Sequence, residues 1–188
     1  GACGGIVESM ASVGNVTYIG DRSGILYVHD PAFGVQYSFN TTNDASALAS
    51  DGQHLFVGGT DGTVECYDLA TEMLLAIWQA PVGLRALTCV GDDLFSAGDS
   101  GVVARTSTQG SGAFTSFGDA AMPVTAMTSD GSALMLGSAS GIISRMELST
   151  QSISASFQAG SDVTALGMNL SQLLLANEAG TIRRVDPI

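Results

Sequence analysis

The chain contains no lysine, and its positive charge comes from six arginines alone: Arg22, Arg85, Arg105, Arg145, Arg183 and Arg184. Against them stand 18 acids, which leaves a formal net charge of −12 over 188 residues. Binding to a phosphate backbone or an anionic bilayer surface needs clustered Lys and Arg, so the composition argues against nucleic-acid and membrane-surface partners. No run approaches the ~18 consecutive apolar residues of a membrane-spanning helix, and no secretory leader is visible. The three cysteines, Cys3, Cys66 and Cys89, are an odd set without CxxC spacing, so they do not form a disulfide framework. Cys66 and Cys89 fall inside apolar segments, where a free thiol behaves as a small hydrophobe. That leans toward a reducing compartment, the cytoplasm, over a secreted or lipoprotein destination. Sequons at Asn15, Asn40 and Asn169, and an Ala2-Cys3-Gly4 triplet that would suit a lipoprotein site, point the other way. A start at Gly1 rather than Met leads us to expect a processed, tagged or truncated chain.

Histidine is nearly as scarce, and this removes most familiar chemistries. His29 and His54 are the only two, with no ligand-spaced Cys or carboxylate cluster beside them, whereas zinc wants three or four clustered N and S donors. A hydrolase triad needs a nucleophile with a positioned His and acid, and no Gly-x-Ser-x-Gly precedes a helical pattern. We therefore expect no catalytic residues, no metal and no cofactor.

What is present is glycine, at 24 residues, in a chain that is 45% hydrophobic and only 13% charged. That mixture suits many short strands joined by tight turns. The glycines are periodic. One that closes a polar turn and opens an apolar strand occurs at Gly24, Gly62, Gly101, Gly141 and Gly180, with spacings of 38, 39, 40 and 39 residues. Fifteen residues before each anchor stand Ser9, Ala47, Ala86, Ala126 and Ala165; the next position holds Met10, Leu48, Leu87, Met127 and Leu166. Small–large–small alternation is strand periodicity, and small residues suit an inner strand crowded around an axis. A second strand follows, as in Leu55-Phe56-Val57-Gly58, after hairpin signals such as Asp51-Gly52 and Asp130-Gly131. The third strand runs on from the anchor, and the fourth ends on an aromatic: Phe39, Trp78, Phe117, Phe157.

Each unit is thus a four-stranded meander of about 39 residues, and one such sheet cannot bury both of its partly apolar faces alone. Stacking copies around an axis buries both. The reading is all-β: a β-propeller of five blades, over residues 6–40, 44–79, 83–118, 123–158 and 162–188, the last lacking its own outer strand. Three explanations stand for that missing strand: a piece of a larger ring, completion by another chain, or a small ring with one three-stranded blade. An unpaired edge there would invite self-association. Arg183 and Arg184 could guard it, although Arg105 and Arg145 share the register of Arg184 and suggest a structural arginine ladder.

In period and register the units resemble divergent WD40 repeats. In that family the third strand ends in Trp-Asp, six residues after a turn glycine; the pairs here are His29-Asp30, Tyr67-Asp68, Thr106-Ser107, Met146-Glu147 and Val185-Asp186. An acid stands in four of the five, the tryptophan in none, and the family's Gly-His pair is absent, so its Asp-His network is not carried over. Asp68-Leu69-Ala70-Thr71 with Trp78 gives one unit a second resemblance, to quinoprotein-type propellers. The WD40 resemblance implies a non-catalytic scaffold that binds a protein or peptide, with part of a propeller enzyme or a carbohydrate-binding propeller as the alternative. By the family's geometry one ring face would carry Asp21, Asp44, Asp61, Asp99, Asp119, Asp162 and Glu178, suited to a basic partner or a cation. The same residues also read as plain turn formers, because Asp side chains bond nearby backbone N–H groups.

Overall fold

The computed structural model describes residues 5–110, 112–169 and 172–185. Cys3 with its flanking residues, Leu170 and Ser171 of the third sequon, and Asp186 lie outside the described residues. Nineteen strands and no helix occur among the described residues, so nothing there is a helix long and apolar enough to cross a membrane. The strands form five antiparallel sheets in chain order. Blade 1 holds β1 (Val7–Val13), β2 (Val16–Asp21), β3 (Ile25–Asp30) and β4 (Gly34–Asn40). Blade 2 holds β5 (Ala47–Ser50), β6 (His54–Gly58), β7 (Thr63–Asp68) and β8 (Leu74–Gln79). Blade 3 holds β9 (Leu84–Val90), β10 (Asp93–Gly98), β11 (Val102–Ser107) and β12 (Thr115–Asp119). Blade 4 holds β13 (Ala126–Ser129), β14 (Ala133–Gly137), β15 (Ile142–Glu147) and β16 (Ser152–Gln158), and blade 5 holds β17 (Val163–Asn169), β18 (Gln172–Asn177) and β19 (Ile182–Val185). Each fourth strand runs one or two residues past its aromatic, so the aromatic packs within the strand and does not end it.

The periodic glycines show why the repeat is copied so faithfully. All five anchors have φ between +73° and +89°, a region that side chains with a Cβ avoid. In the first four blades the space beside the anchor is also taken by the chain returning from the fourth strand. A Cβ would meet Asn43 O at Gly24, Ala80 O at 2.5 Å at Gly62, Met122 O at 2.8 Å at Gly101 and Ser161 O at 3.0 Å at Gly141. The anchor carbonyls accept the N–H of Thr41, Ala80, Ala120 and Ala159 at 2.7–2.9 Å. Gly180, at φ +73°, has open space around it among the described residues.

Burial lies between the blades. Four apolar clusters fill the four successive seams: Tyr18, Leu26 and Val28 against Leu48, Leu55 and Tyr67; Phe56 and Trp78 against Leu84 and Leu87; Phe95 and Phe117 against Met127 and Leu134; Met135 and Ile143 against Leu173 and Leu175. A fully buried side chain of this size contributes about 1.5–3 kcal/mol, so each seam is a small core in its own right. No fifth cluster joins blade 5 to blade 1 among the described residues.

Candidate functional site: the axial mouth

The five inner strands surround a channel of about 150 Å³ lined by alternating small and large residues such as Ala47, Leu48, Ala86, Leu87, Ala126 and Met127. At one end it opens into a mouth of about 460 Å³. The rim is set one residue before the small position of each inner strand, by Glu8, Ser46, Arg85, Thr125 and Thr164, and is extended by Asp99, Asp162 and Glu178 from neighbouring turns.

Most of these polar groups are already engaged. The Glu8 carboxylate accepts Arg22 Nε at 2.6 Å, and Asp99 Oδ1 accepts Arg85 Nε at 3.1 Å. Hydroxyls stitch the seams near the axis: Ser9 to Ala45 O at 2.6 Å, Ser46 to Leu84 O at 3.4 Å, and Thr125 to Val163 O at 2.5 Å. The carboxylates of Asp162 and Glu178 have no cation beside them among the described residues. The mouth therefore carries two neutralised acids and two that are not.

Of the seven acids expected on one face, the structure brings Asp99, Asp162 and Glu178 to the mouth. Asp21 is a correction to that expectation. It is 0% exposed and sits inside blade 1, accepting Ser23 N and Ile25 N at 2.9 Å each, Ser23 Oγ at 2.7 Å and Tyr27 OH at 3.2 Å. Burial opposes its ionisation, yet these donors prevail and hold its carboxyl below the usual range. Asp44, Asp61 and Asp119 serve turns: Asp44 accepts Thr60 N at 3.1 Å, Asp61 accepts Thr63 N at 2.8 Å and Asn43 Nδ2 at 2.8 Å, and Asp119 accepts Ala121 N at 2.7 Å. No three metal-ligating side chains cluster among the described residues.

Sequence reasoning missed Glu8 and Arg85. The signal was one column away from the one it tracked: sixteen residues before each anchor stand Glu, Ser, Arg, Thr and Thr. The remaining polar residues are structural. His54 Nδ1 lies 2.9 Å from Asp51 Oδ2 at the start of β6. Asp30 and Asp68 cap turns after their third strands, at Ala32 N (2.7 Å) and Thr71 N (2.7 Å). Arg145 bridges Asp130 at 2.5 Å and Glu147 at 2.8 Å, while Arg105 lies over the Phe117 ring at 5.4 Å. Cys66 and Cys89 are free, and burial, with the Asp51 charge nearby, pushes their thiols up to about 11 and about 12, so neither is a nucleophile at neutral pH.

Five meander sheets around one axis, with inner strands lining a channel, define a β-propeller. Comparison with solved structures agrees. The chain is similar to the computationally designed Ika8 protein (TM-score 0.75, 22% identity), covering 96% of this chain and 58% of that one. It is similar also to the Swd1 β-propeller domain of Myceliophteria thermophila (TM-score 0.78, 16% identity), covering 97% of this chain and 66% of that one. The chain thus spans less than two thirds of the length of either of those proteins. No family profile and no curated protein sequence matches it.

Proposed function

We propose that the chain is a non-catalytic, WD40-like interaction scaffold that docks a basic protein segment on the mouth of its axis. The observation that carries this reading is the pair Asp162 and Glu178, carboxylates on the rim of a 460 Å³ opening that form no ion pair among the described residues. A lysine- or arginine-bearing segment would meet them where water is partly excluded and charge pairs act more strongly than on an open surface. The net charge of −12 would steer such a partner at a distance. The two free thiols support a reducing compartment, the cytoplasm, as the place where this happens.

The test is a pull-down and a titration with a lysine- and arginine-rich peptide across a salt series. Charge reversal at both sites, Asp162→Lys with Glu178→Lys, should weaken binding by about tenfold or more, and Asp92→Lys in the turn between β9 and β10, outside the mouth lining, should leave it unchanged. An identical partner set in all three proteins would sink the reading. Retention of a small polar ligand instead of a peptide would favour the ligand-binding alternative.

A further inference from the structure

The geometry points to a second interaction surface, independent of the mouth: the outer notch between blades 1 and 2 docks an amphipathic segment that sets apolar residues on blade 2 and lysine or arginine on the acids at its foot. The inner wall of the notch is the contact of Phe39 with Tyr67, 5.4 Å between ring centres. Outside it β8 exposes Leu74 (42%), Leu75 (55%) and Ile77 (55%), with Met73 (65%) just before the strand. Leu74 pairs with Tyr67 and Ile77 with Glu65, and residues paired across strands share a face. That face is the one turned to blade 1, where Glu65 accepts Thr42 N at 2.8 Å. On the other side of the notch Tyr37 pairs with Val28, a member of the same seam, and is itself exposed.

This apolar strip is not a property of the repeat. The residue before the fourth-strand aromatic is Ser38, Ser116 and Ser156 in blades 1, 3 and 4, and Ile77 in blade 2. The residue left over at the fourth-strand bulge is Ser154 in blade 4 and Leu75 in blade 2. Among the described residues blades 3 and 4 expose one large apolar side chain between them, Ile153. Serine thus keeps these columns polar elsewhere, and blade 2 departs from the pattern. An outer strand with an uncharged, exposed run such as Met73-Leu74-Leu75 is an aggregation liability unless something covers it.

Charge decides the occupant. No arginine or lysine occurs between Arg22 and Arg85, whereas Asp30, Asp68 and Glu72 stand where the third strands of blades 1 and 2 turn into the fourth. Glu72 reaches back to blade 1: burial first, then the Glu72 charge, raises the Tyr18 phenol above its ordinary value. Asp68 has His54 opposite it on β6, but that ring is engaged by Asp51 at 2.9 Å. Asp30 and Glu72 form no ion pair among the described residues. Two copies meeting at the strip would bring these acids together with no arginine or lysine to offset them, in molecules of net charge −12, so a like face is the wrong partner. A segment with aliphatic residues on one side and lysine or arginine beside them satisfies both the strip and its foot. The mouth asks for charge alone; the notch asks for apolar anchors as well.

The probe is a labelled amphipathic peptide of leucine and lysine, titrated by fluorescence anisotropy into the Asp162→Lys, Glu178→Lys protein, whose mouth is reversed in charge. It should bind saturably and slow hydrogen exchange in β4 and β8. Leu75→Ser with Ile77→Ser, which writes into blade 2 the serines that blade 4 already carries, should leave thermal unfolding unchanged and weaken binding about tenfold or more. Glu72→Lys should weaken it too. A peptide of leucine and glutamate and one of serine and lysine should both fail to bind. Four results would overturn the proposal: no saturable binding, equal binding by the serine variant, equal binding of the leucine–glutamate peptide, or a dimer in light scattering that the serine variant dissolves, which would assign the strip to a second copy.

Discussion

Alanine at an anchor glycine tests the blade architecture quantitatively. Gly62 and Gly180 occupy the same repeat position with φ of +89° and +73°, so alanine at either must enter left-handed backbone at a cost of about 1 kcal/mol. At Gly62 the new Cβ would also lie 2.5 Å from Ala80 O and 3.1 Å from Pro81 O, closer than carbon and oxygen tolerate. Relief means pushing away a chain whose Ala80 N–H bonds to Gly62 O at 2.8 Å. Local overpacking and a weakened buried hydrogen bond add roughly 2 kcal/mol. At Gly180 a Cβ meets nothing within 4 Å. Gly62→Ala should therefore lower stability by about 3 kcal/mol and Gly180→Ala by about 1 kcal/mol, with Tm falling by about 6–12 °C and about 2–4 °C for a domain of this size. Thermal unfolding followed by circular dichroism reads both. Equal losses would refute the reasoning: if both were large, the space over Gly180 would be filled; if both were small, the returning chain would not confine Gly62.

Two further outcomes follow from the same geometry. Gly112, at φ +74°, lies so close to Trp78 that a Cβ would overlap the indole ring, so Gly112→Ala should displace the only tryptophan, shift its emission to the red and destabilise by about 3 kcal/mol; unchanged fluorescence would contradict the packing of that loop over blade 2. Asp130 is partly buried, which opposes ionisation, but Arg145 and the Ser132 and Ala133 N–H groups hold its carboxyl well below the usual range. A folded pKa below the unfolded value near 3.9 means that the stabilisation is present above about pH 4 and lost as pH falls through the folded value. The Tm difference between the parent and Asp130→Asn should thus be steady near neutrality and shrink on acidification below about pH 4, and a gap that stays constant down to pH 2 would show that the charge contributes nothing.

The fold was legible because its constraints recur. An anchor that needs positive φ and a vacant Cβ position admits glycine in every blade, so five copies could be aligned on one residue type. The aromatic of the fourth strand was legible for the same reason in the first four units. The mouth was less so. Its rim column reads Glu, Ser, Arg, Thr, Thr, and a position that differs in each copy gives no periodic signal. Asp21 was misread because it was pooled with Asp61 and Asp99, which stand one and two residues before their anchors, whereas Asp21 stands three before Gly24. Its column also holds Ser138 and Asn177, both buried, so the position points inward; blade 1 adds Tyr27, whose hydroxyl donates to the acid at 3.2 Å. In blade 2 the Tyr27 column holds Glu65, itself buried and bonded to Thr42 N at 2.8 Å and Tyr67 OH at 2.6 Å. Partnerships between different columns are invisible to an alignment of repeats read one column at a time.

The carboxylates of the proposed mouth lie where the repeat leaves something unpaired. Within blades 2, 3 and 4 both faces meet a neighbouring blade, so a polar group near the axis is consumed by the seam, as Ser46 and Thr125 are, and an aliphatic residue after the anchor is consumed by its aromatic. Blade 5 has a neighbour on one side alone among the described residues. Its Thr164 hydroxyl and the Asp162 and Glu178 carboxylates face the mouth, and Ile182 faces open space.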